Sequence, residues 1–234
     1  MMPVPWFDAA LAGVLGLLVG SFLNVVIYRL PKMMERQWAA ECAEYAGMAG
    51  EQVAPVHPPP ADQFNLAQPR SRCQACGHQL RWYENIPVLS YLFLRGRCSS
   101  CGVSISIRYP LVELATAALF FFCVQKWGAT VTGLAWCGFA ALLVSLAFID
   151  WDTTLLPDDL TLPLLWAGLL ASALQWIDVP LYSSVIGAAA GYLSLWLVYW
   201  GFKLVTGEEG MGYGDFRLFA ALGAWFGWQA LVPL

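Results

Sequence analysis

Residues 131–159 read VTGLAWCGFAALLVSLAFIDWDTTLLPDD, an apolar run that ends abruptly in carboxylates. No charged residue occurs between Val131 and Ile149, and Asp150 follows directly. A helix needs roughly 17–25 predominantly apolar residues to cross the hydrocarbon core of a bilayer. The stretch therefore predicts a membrane-spanning helix with acidic side chains at one end.

The composition of the whole chain agrees with this reading. Of the 234 residues, 59% are hydrophobic and only 12% are charged, whereas soluble domains average about 25% charged residues. Such a composition excludes a disordered chain, a small disulfide-stapled secreted module and a nucleic-acid binder that depends on a basic surface. We predict an integral membrane protein whose main solvent is lipid.

Six apolar runs are long enough to be spans. They cover residues 9–28, 111–127, 131–149, 160–177, 181–205 and 216–234. Nine of the twelve Lys and Arg residues lie from Arg29 to Arg108, and basic residues mark cytoplasmic loops. Loops 150–159 and 206–215 then fall on the same cytoplasmic side. The predicted fold is an all-α polytopic bundle: a first transmembrane helix (1–29), a cytoplasmic domain (30–109) and a five-helix membrane domain (110–234).

Four of the seven cysteines form two CxxC pairs, Cys73 with Cys76 and Cys98 with Cys101. A glycine follows each pair, which suits the left-handed turn of such a loop. Two pairs supply the four sulfur ligands that zinc prefers in closed, structural sites. Two disulfides or a thioredoxin-like redox pair are the alternatives, and a cytoplasmic location disfavours stable disulfides. We therefore predict a structural zinc ion.

Asp150 ends the third predicted span and Asp215 begins the sixth, so both are expected at the cytoplasmic membrane face. Two carboxylates that share a proton can perform aspartic-protease chemistry, one as base and one as acid. The helix dipole predicts that Asp150, at a C-terminal end, holds the proton and that Asp215, at an N-terminal end, is the base. Helix capping, interfacial charge or proton and ion handling are the open alternatives.

Four motifs resemble one known family in their order and spacing. They are GSFLNVVIYRLP at 20–31, the tetracysteine segment with WYENIP at 82–87 and RYP at 108–110, the stretch 148–158, and GMGYGD at 210–215. Over almost the whole chain they resemble the type 4 prepilin peptidases, GxGD-type membrane aspartic proteases of type IV pilus and type II secretion systems.

The resemblance implies cleavage of a short basic leader from prepilins or pseudopilins, at the cytoplasmic face of the bacterial inner membrane. It also implies N-methylation of the new N-terminal residue from S-adenosylmethionine. Asp150 and Asp215 would be the catalytic aspartates, with Asp152, Asp158 and Asp159 in supporting roles at most. The methyl-transfer region would contain five residues: Glu84, Asn85, Pro87, Gly96 and Arg97.

The substrates of this family carry an apolar helix directly after the cleavage site, which can pack among the spans. Small residues such as Gly187 and Gly191 in the fifth span permit close helix approach, and ordinary packing is the favoured interpretation. Family members continue with further apolar segments after the Gly-Asp motif. The membrane domain 110–234 is therefore expected to be truncated at its C-terminus.

Two hypotheses from other classes compete with the peptidase. A proton-coupled transporter would use the carboxylates as a relay, but it predicts charged residues near mid-span, whereas Asp150 and Asp215 lie at helix ends. A non-enzymatic zinc-ribbon assembly factor would tolerate the loss of both aspartates.

Overall fold

The computed structural model describes residues 6–48, 64–208 and 210–231. Seven α-helices follow one another in this part of the chain: α1 (Trp6–Met48), α2 (Leu89–Phe93), α3 (Arg108–Trp127), α4 (Val131–Thr153), α5 (Asp158–Ala173), α6 (Leu181–Thr206) and α7 (Tyr213–Phe226). Two 3-10 turns cover Trp82–Asn85 and Trp228–Ala230. The described residues contain only two isolated β-bridges and no strand. The predicted all-α fold class is confirmed.

Four helices are long and apolar enough to cross a membrane: α1, α3, α4 and α6. The fourth and sixth predicted spans form the shorter helices α5 and α7, with 16 and 14 residues. At 1.5 Å per residue these helices extend about 24 Å and about 21 Å, less than the hydrocarbon core. Both end early for local reasons. Gln175 adopts a positive φ after α5, and Gly227, with φ 79°, follows α7.

The first helix is longer than predicted. Its apolar run stops near Tyr28, yet α1 continues through Pro31 to Met48. The extension is rich in Ala, Glu and Met, which favour helix even when exposed. Gln37 donates to Glu41 one turn ahead, at 3.0 Å, a spacing that stabilises a solvated helix. Hydropathy marks where the apolar run ends, and the helix continues beyond it.

The chain divides into two compact units. The first unit comprises Met1–Val14 and Ala118–Leu234, and its core joins α4, α5 and α7 around Leu146, Leu164 and Trp225. The Trp225 indole N–H donates to the Leu164 carbonyl at 2.8 Å. Where α6 crosses α7, a Cβ built on Gly187 would lie 2.2 Å from the Gly223 carbonyl oxygen. Glycine at this crossing thus serves helix packing, as expected.

The second unit comprises Leu15–Ala117. Here α1 crosses the start of α3, and a Cβ on Gly20 would lie 2.7 Å from the Cα of Glu113. The buried Asn24 amide donates to the Tyr109 carbonyl at 3.0 Å. The Glu113 carboxylate, also buried, accepts from the Val88 N–H at 2.7 Å. Polar groups at this crossing are therefore satisfied within the unit.

Candidate active site and metal centre

Both predicted aspartates line one cavity of about 400 Å³ in the first unit. Asp150 lies in the last turn of α4, and Asp215 lies in the first turn of α7. The walls between them come from the loop after α4 and from the glycine-rich loop before α7. The sequence predicted that these two helix ends share a membrane face, and the fold brings both carboxylates to one cavity.

Each aspartate is held by the way its helix ends. Thr154 adopts a left-handed conformation, with φ 53°, and its N–H donates to the Asp150 carbonyl at 2.8 Å, which stops α4 there. The N–H of Asp215 bonds the Gly212 carbonyl at 3.3 Å as α7 begins. Rigid helix ends fix a catalytic group more accurately than a free loop does.

Burial raises the pKa of Asp215 above its ordinary value; a hydrogen bond with the Gly212 backbone opposes the rise, and the charge of Asp150 adds to it. Asp215 lies before the sixth predicted span and outside the four helices long enough to cross a membrane. The raised pKa is opposite in direction to the effect of the helix N-terminus. Which aspartate holds the proton therefore stays a prediction.

The loop after α4 packs tightly against the glycine-rich loop. A Cβ built on Gly214 would lie 2.7 Å from the Cβ of Leu156 and 3.1 Å from its carbonyl oxygen. Both residues line the cavity. A side chain at position 214 would push the two loops apart and move Asp215 with them. Steric contact with Leu156 therefore explains why the residue directly before Asp215 is a glycine.

Sequence reasoning missed an ion pair beside the cavity. The Arg217 guanidinium, one residue beyond Phe216 in α7, pairs with the Asp158 carboxylate at the start of α5. The pair ties α7 to the end of the loop that carries Leu156. Asp158 is thus a structural partner, and Asp152 and Asp159 are not among the residues that line the cavity. No spacing in the sequence signals such a contact between helices.

The four predicted zinc ligands converge in the second unit. The sulfur atoms of Cys73, Cys76, Cys98 and Cys101 all lie within 4.8 Å of one another. Contacts run across the two pairs, with Cys73 3.9 Å from Cys101 and Cys76 4.0 Å from Cys98. All four are free thiols. The cluster can hold a metal ion, and the closed set of four sulfurs fits a structural zinc.

The two CxxC loops repeat one geometry. In each loop the glycine after the second cysteine donates its N–H to the carbonyl of the first cysteine at 3.0 Å, with φ 72° at both Gly77 and Gly102. Backbone N–H groups of Cys76 and Ala75 lower the pKa of Cys73 to about 6. The corresponding N–H groups lower the pKa of Cys98. Each loop thus favours the thiolate form of its first cysteine, the form that binds metal. Side-chain hydrogen bonds with the other three cysteines, against an opposing backbone hydrogen bond at Val103, raise the pKa of Cys101 to about 11.

The five predicted methyl-transfer residues lie in the second unit and differ in their exposure. Glu84 is buried, and its carboxylate accepts from the Arg81 N–H at 2.8 Å, which lowers the pKa of Glu84 together with Ser99 and His78. Pro87 and Gly96 are buried, and Gly96 sits under the Tyr91 ring in a turn with φ 67°. Glu84, Pro87 and Gly96 therefore contribute to the fold of this part of the chain. Asn85 and Arg97 are exposed.

Of the five, only Asn85 lines a second cavity, of about 380 Å³. Three arginines border this cavity: Arg29 from α1, Arg70 before the first cysteine loop and Arg81 after it. The Trp82 ring and the apolar side chain of Phe22 add further wall. No acidic residue borders the cavity within the described part of the chain. Sequence reasoning missed this basic cavity, because its walls come from separate segments.

Comparisons with known proteins place the chain in a family. Residues 14–127 match the bacterial peptidase A24 N-terminal domain, and residues 137–234 match the type IV leader peptidase family. A protein named "Prepilin leader peptidase/N-methyltransferase" from Pseudomonas putida is 54% identical over 227 residues, covering 97% of this chain and 76% of the relative. The chain belongs to the type IV leader peptidase family. The resemblance drawn from its motifs is confirmed.

Further relatives support the same family assignment. Relatives with the same name from Aeromonas salmonicida (strain A449) and Pseudomonas aeruginosa are each 53% identical, over 97% and 94% of this chain and 76% and 73% of their own lengths. No solved structure matches the chain. The cysteine cluster and the basic cavity lie within the N-terminal match, and both aspartates lie within the leader peptidase match. The apolar helices and the family together indicate a multi-pass membrane protein.

Proposed function

We propose that this chain is a membrane enzyme with two activities: an aspartic endopeptidase that removes the leader of type IV prepilins or pseudopilins, and an N-methyltransferase for the new N-terminus. The observation that carries the peptidase is the placement of Asp150 and Asp215 in one cavity, on two facing helix ends. The names of the relatives at 53–54% identity support both activities.

In the peptidase reaction the two aspartates share one proton. The ionised carboxylate takes a proton from a water molecule, whose oxygen attacks the scissile carbonyl carbon. The protonated carboxyl donates to the carbonyl oxygen as the tetrahedral intermediate forms. Collapse of the intermediate breaks the C–N bond, and the leaving amine takes the proton that the first carboxylate removed from water. The second carboxylate takes back the hydroxyl proton of the intermediate, which restores the pair with one proton. Two carboxylates with one proton perform every transfer, so no other residue needs to titrate.

The membrane location suits a prepilin substrate. Its apolar helix can pack against apolar surface in lipid, while the polar leader junction meets the aspartates at the ends of α4 and α7. Gly187, which contacts Gly223, is already used for packing within the bundle. The substrate groove is therefore expected elsewhere among the exposed apolar faces. The excess of basic residues in segment 30–109 supports a cytoplasmic active face in the bacterial inner membrane.

S-adenosylmethionine would supply an electrophilic methyl group to the N-terminal amine of the cleaved substrate. The residues proposed for this region are Glu84, Asn85, Pro87, Gly96 and Arg97. Among them the exposed side chains of Asn85 and Arg97 can contact a ligand, while buried Glu84 fixes the turn from which Asn85 projects. Zinc held by the four cysteines would stabilise the fold of this region, since four protein ligands leave no open position.

The proposal is tested by incubating the purified protein with a prepilin peptide and measuring intact peptide mass, with and without S-adenosylmethionine. Loss of the leader mass is expected in both samples, and a methyl increment only with the donor. A protein that retains zinc and leaves the peptide intact would contradict the peptidase and favour the assembly-factor alternative. Proton flux through reconstituted vesicles without cleavage would favour the transporter.

A further inference from the structure

An uncharged stretch lies between the two cysteine loops of the second unit. It runs from Ile86 to Leu94, reads IPVLSYLFL and contains α2. The stretch is too short to span a bilayer, which takes roughly 17–25 residues. It can therefore be either part of a protein core or a surface that meets another apolar phase.

The exposure of α2 argues against a protein core. Three apolar side chains on one face of this short helix are uncovered: Leu89 is 52% exposed, Leu92 is 65% exposed and Phe93 is 84% exposed. Their spacing of three and four residues places them side by side. The described residues leave this face open, and an open apolar patch of this kind marks an interaction surface.

Two spanning helices fix the depth at which α2 begins. The Val88 N–H donates to the Glu113 carboxylate at 2.7 Å. Glu113 lies in α3, about 3 Å past Leu111, where the apolar run of that span starts. A Cβ on Gly20 of α1 would lie 2.7 Å from the Glu113 Cα, and Gly20 lies about 12 Å before Tyr28, where the apolar run of α1 ends. Both helices thus place Val88 on the membrane side of the ends of these runs.

The backbone of residues 86–94 suits a lipid environment. Lipid offers no hydrogen bonds, so a backbone N–H at membrane depth needs an acceptor within the protein. Ser90 donates to the Ile86 carbonyl at 3.1 Å. Leu92 donates to the Val88 carbonyl at 3.0 Å, and Leu94 donates to the Ser90 carbonyl at 2.9 Å. These amides therefore need no water.

The residues on either side of this stretch match the polar boundary of a bilayer. Trp82 precedes it and is exposed, and tryptophan is enriched where membrane and water meet. Arg95 and Arg97 follow it and are also exposed. Arginine side chains at this level can reach the phosphates of lipid headgroups. The chain thus passes from an aromatic side chain through an apolar face to two cations.

We propose that residues 86–94 insert into the lipid leaflet on the side of the cysteine loops, with the exposed face of α2 among the lipid chains and with Arg95 and Arg97 at the headgroups. The occupant is lipid because α2 begins beside two spans, at the depth of their apolar runs. Since this stretch joins the two CxxC loops, it anchors the cysteine cluster to the membrane surface. This part of segment 30–109 then lies in the membrane.

The first test uses the wild-type chain. The full-length protein, loaded with zinc, is reconstituted into vesicles of phosphatidylethanolamine and phosphatidylglycerol and irradiated with a lipid-soluble aryl diazirine. Peptide mass spectrometry then locates the adducts. We expect adducts in residues 86–94, as in the spans, and none in residues 36–48 at the exposed end of α1. Labelling of residues 86–94 that is as low as that of 36–48 would overturn the proposal.

The second test asks what lies against α2. Benzoylphenylalanine replaces Phe93 and, as the matched control, Tyr45, which is 74% exposed on the extension of α1. After irradiation in the same vesicles, lipid adducts should be at least about 10-fold more abundant at position 93, because only that side chain would lie among lipid chains. Bound zinc equal to that of the wild type checks the fold of both variants.

Other adducts at position 93 would assign the surface differently. A crosslink to an added prepilin peptide, with no lipid adduct when the peptide is absent, would make α2 a substrate-docking surface. A crosslink between two copies of the chain, again without lipid adducts, would make it a dimer contact. Either result would overturn membrane insertion, and neither would alter the assignment of the two aspartates, which cleavage assays test separately.

Discussion

Two cavities of nearly equal volume differ in almost every other respect. The cavity of the first unit, about 400 Å³, is bordered by two carboxylates, and the cavity of the second unit, about 380 Å³, is bordered by three arginines. Peptide hydrolysis needs carboxylates that exchange a proton, and arginines beside the aspartates would hold them ionised. The charges therefore suit the hydrolysis to the cavity of the first unit and not to the cavity of the second.

The largest effect is expected at the aspartates. Asp150→Asn or Asp215→Asn should lower the cleavage rate at least about 1000-fold, because a single carboxylate cannot act as both acid and base. Zinc content and membrane insertion should be unchanged. Asp159→Asn is the control and should lower the cleavage rate by less than about 3-fold, since Asp159 does not line the cavity. Cleavage near the wild-type rate in either cavity variant would refute the aspartic-protease mechanism.

The second unit should unfold before the first when zinc is removed from the proposed cysteine site. Cys73→Ser with Cys76→Ser, or a chelator, is expected to release zinc and to make residues 64–105 the first segment cut by protease, because metal binding and folding are coupled in such clusters. Methyl transfer should be lost with it. Cys42→Ser, at an exposed cysteine outside the cluster, is the control. A metal-free protein with normal protease resistance would rule out the zinc site.

Gly214→Ala tests the close steric contact between the two loops that border the first cavity. The added Cβ would lie 2.7 Å from Leu156 and displace Asp215, so cleavage should fall about 10- to 100-fold. Methylation of a pre-cleaved peptide should not change. Gly201→Ala provides the matched control, because a Cβ there meets nothing within 4 Å. Equal cleavage rates for the two variants would show that the close approach at Gly214 is unimportant.

The pH profile of cleavage reports on the shared proton. Below the pKa values of the pair both carboxyls are protonated and no base remains, and above them both are ionised and no acid remains. Burial and the charge of Asp150 raise the pKa of Asp215, so the rate should fall on the alkaline side above the ordinary Asp value of about 3.9. Measurement of kcat/KM against pH tests this. A rate that falls as soon as an ordinary Asp ionises would contradict it.

The smallest effect is expected at the ion pair between Arg217 and Asp158. Both side chains are partly exposed, at 37% and 48%, and exposed pairs contribute about 0.2–1 kcal/mol. Arg217→Gln should therefore lower cleavage by about 2- to 5-fold, and Arg217→Lys by less. The steady-state cleavage rate is the readout. A loss as large as that of Asp215→Asn would give Arg217 a direct role in the reaction.

Local patterns explain which parts of the molecule the sequence could predict. The cysteine cluster is built from two short loops with identical spacing, so the four cysteines that converge could be named from the chain alone. The aspartate pair could be placed because two helix ends at the same membrane face follow from counting spans. The close approach of Gly214 to Leu156 and the ion pair of Arg217 needed the fold, since neither has a signature in spacing.

Hydropathy alone misjudged helix ends. It ended the first helix near Tyr28, because it measures affinity for lipid, while α1 continues to Met48 on helix propensity. It also extended the fourth and sixth runs past Ala173 and Phe226, where α5 and α7 end in turns. The basic cavity could not be predicted from the sequence for a third reason. Arg29, Arg70 and Arg81 come from separate segments, and only tertiary structure brings them together.

The central claim is that Asp150 and Asp215 remove the leader and that methyl transfer does not use their cavity, and intact-mass analysis of a prepilin peptide tests it most directly. Asp215→Asn is expected to leave the full-length peptide uncut while it still methylates a pre-cleaved peptide. If this variant, with zinc content and membrane insertion intact, still removes the leader or loses both activities together, the account is wrong.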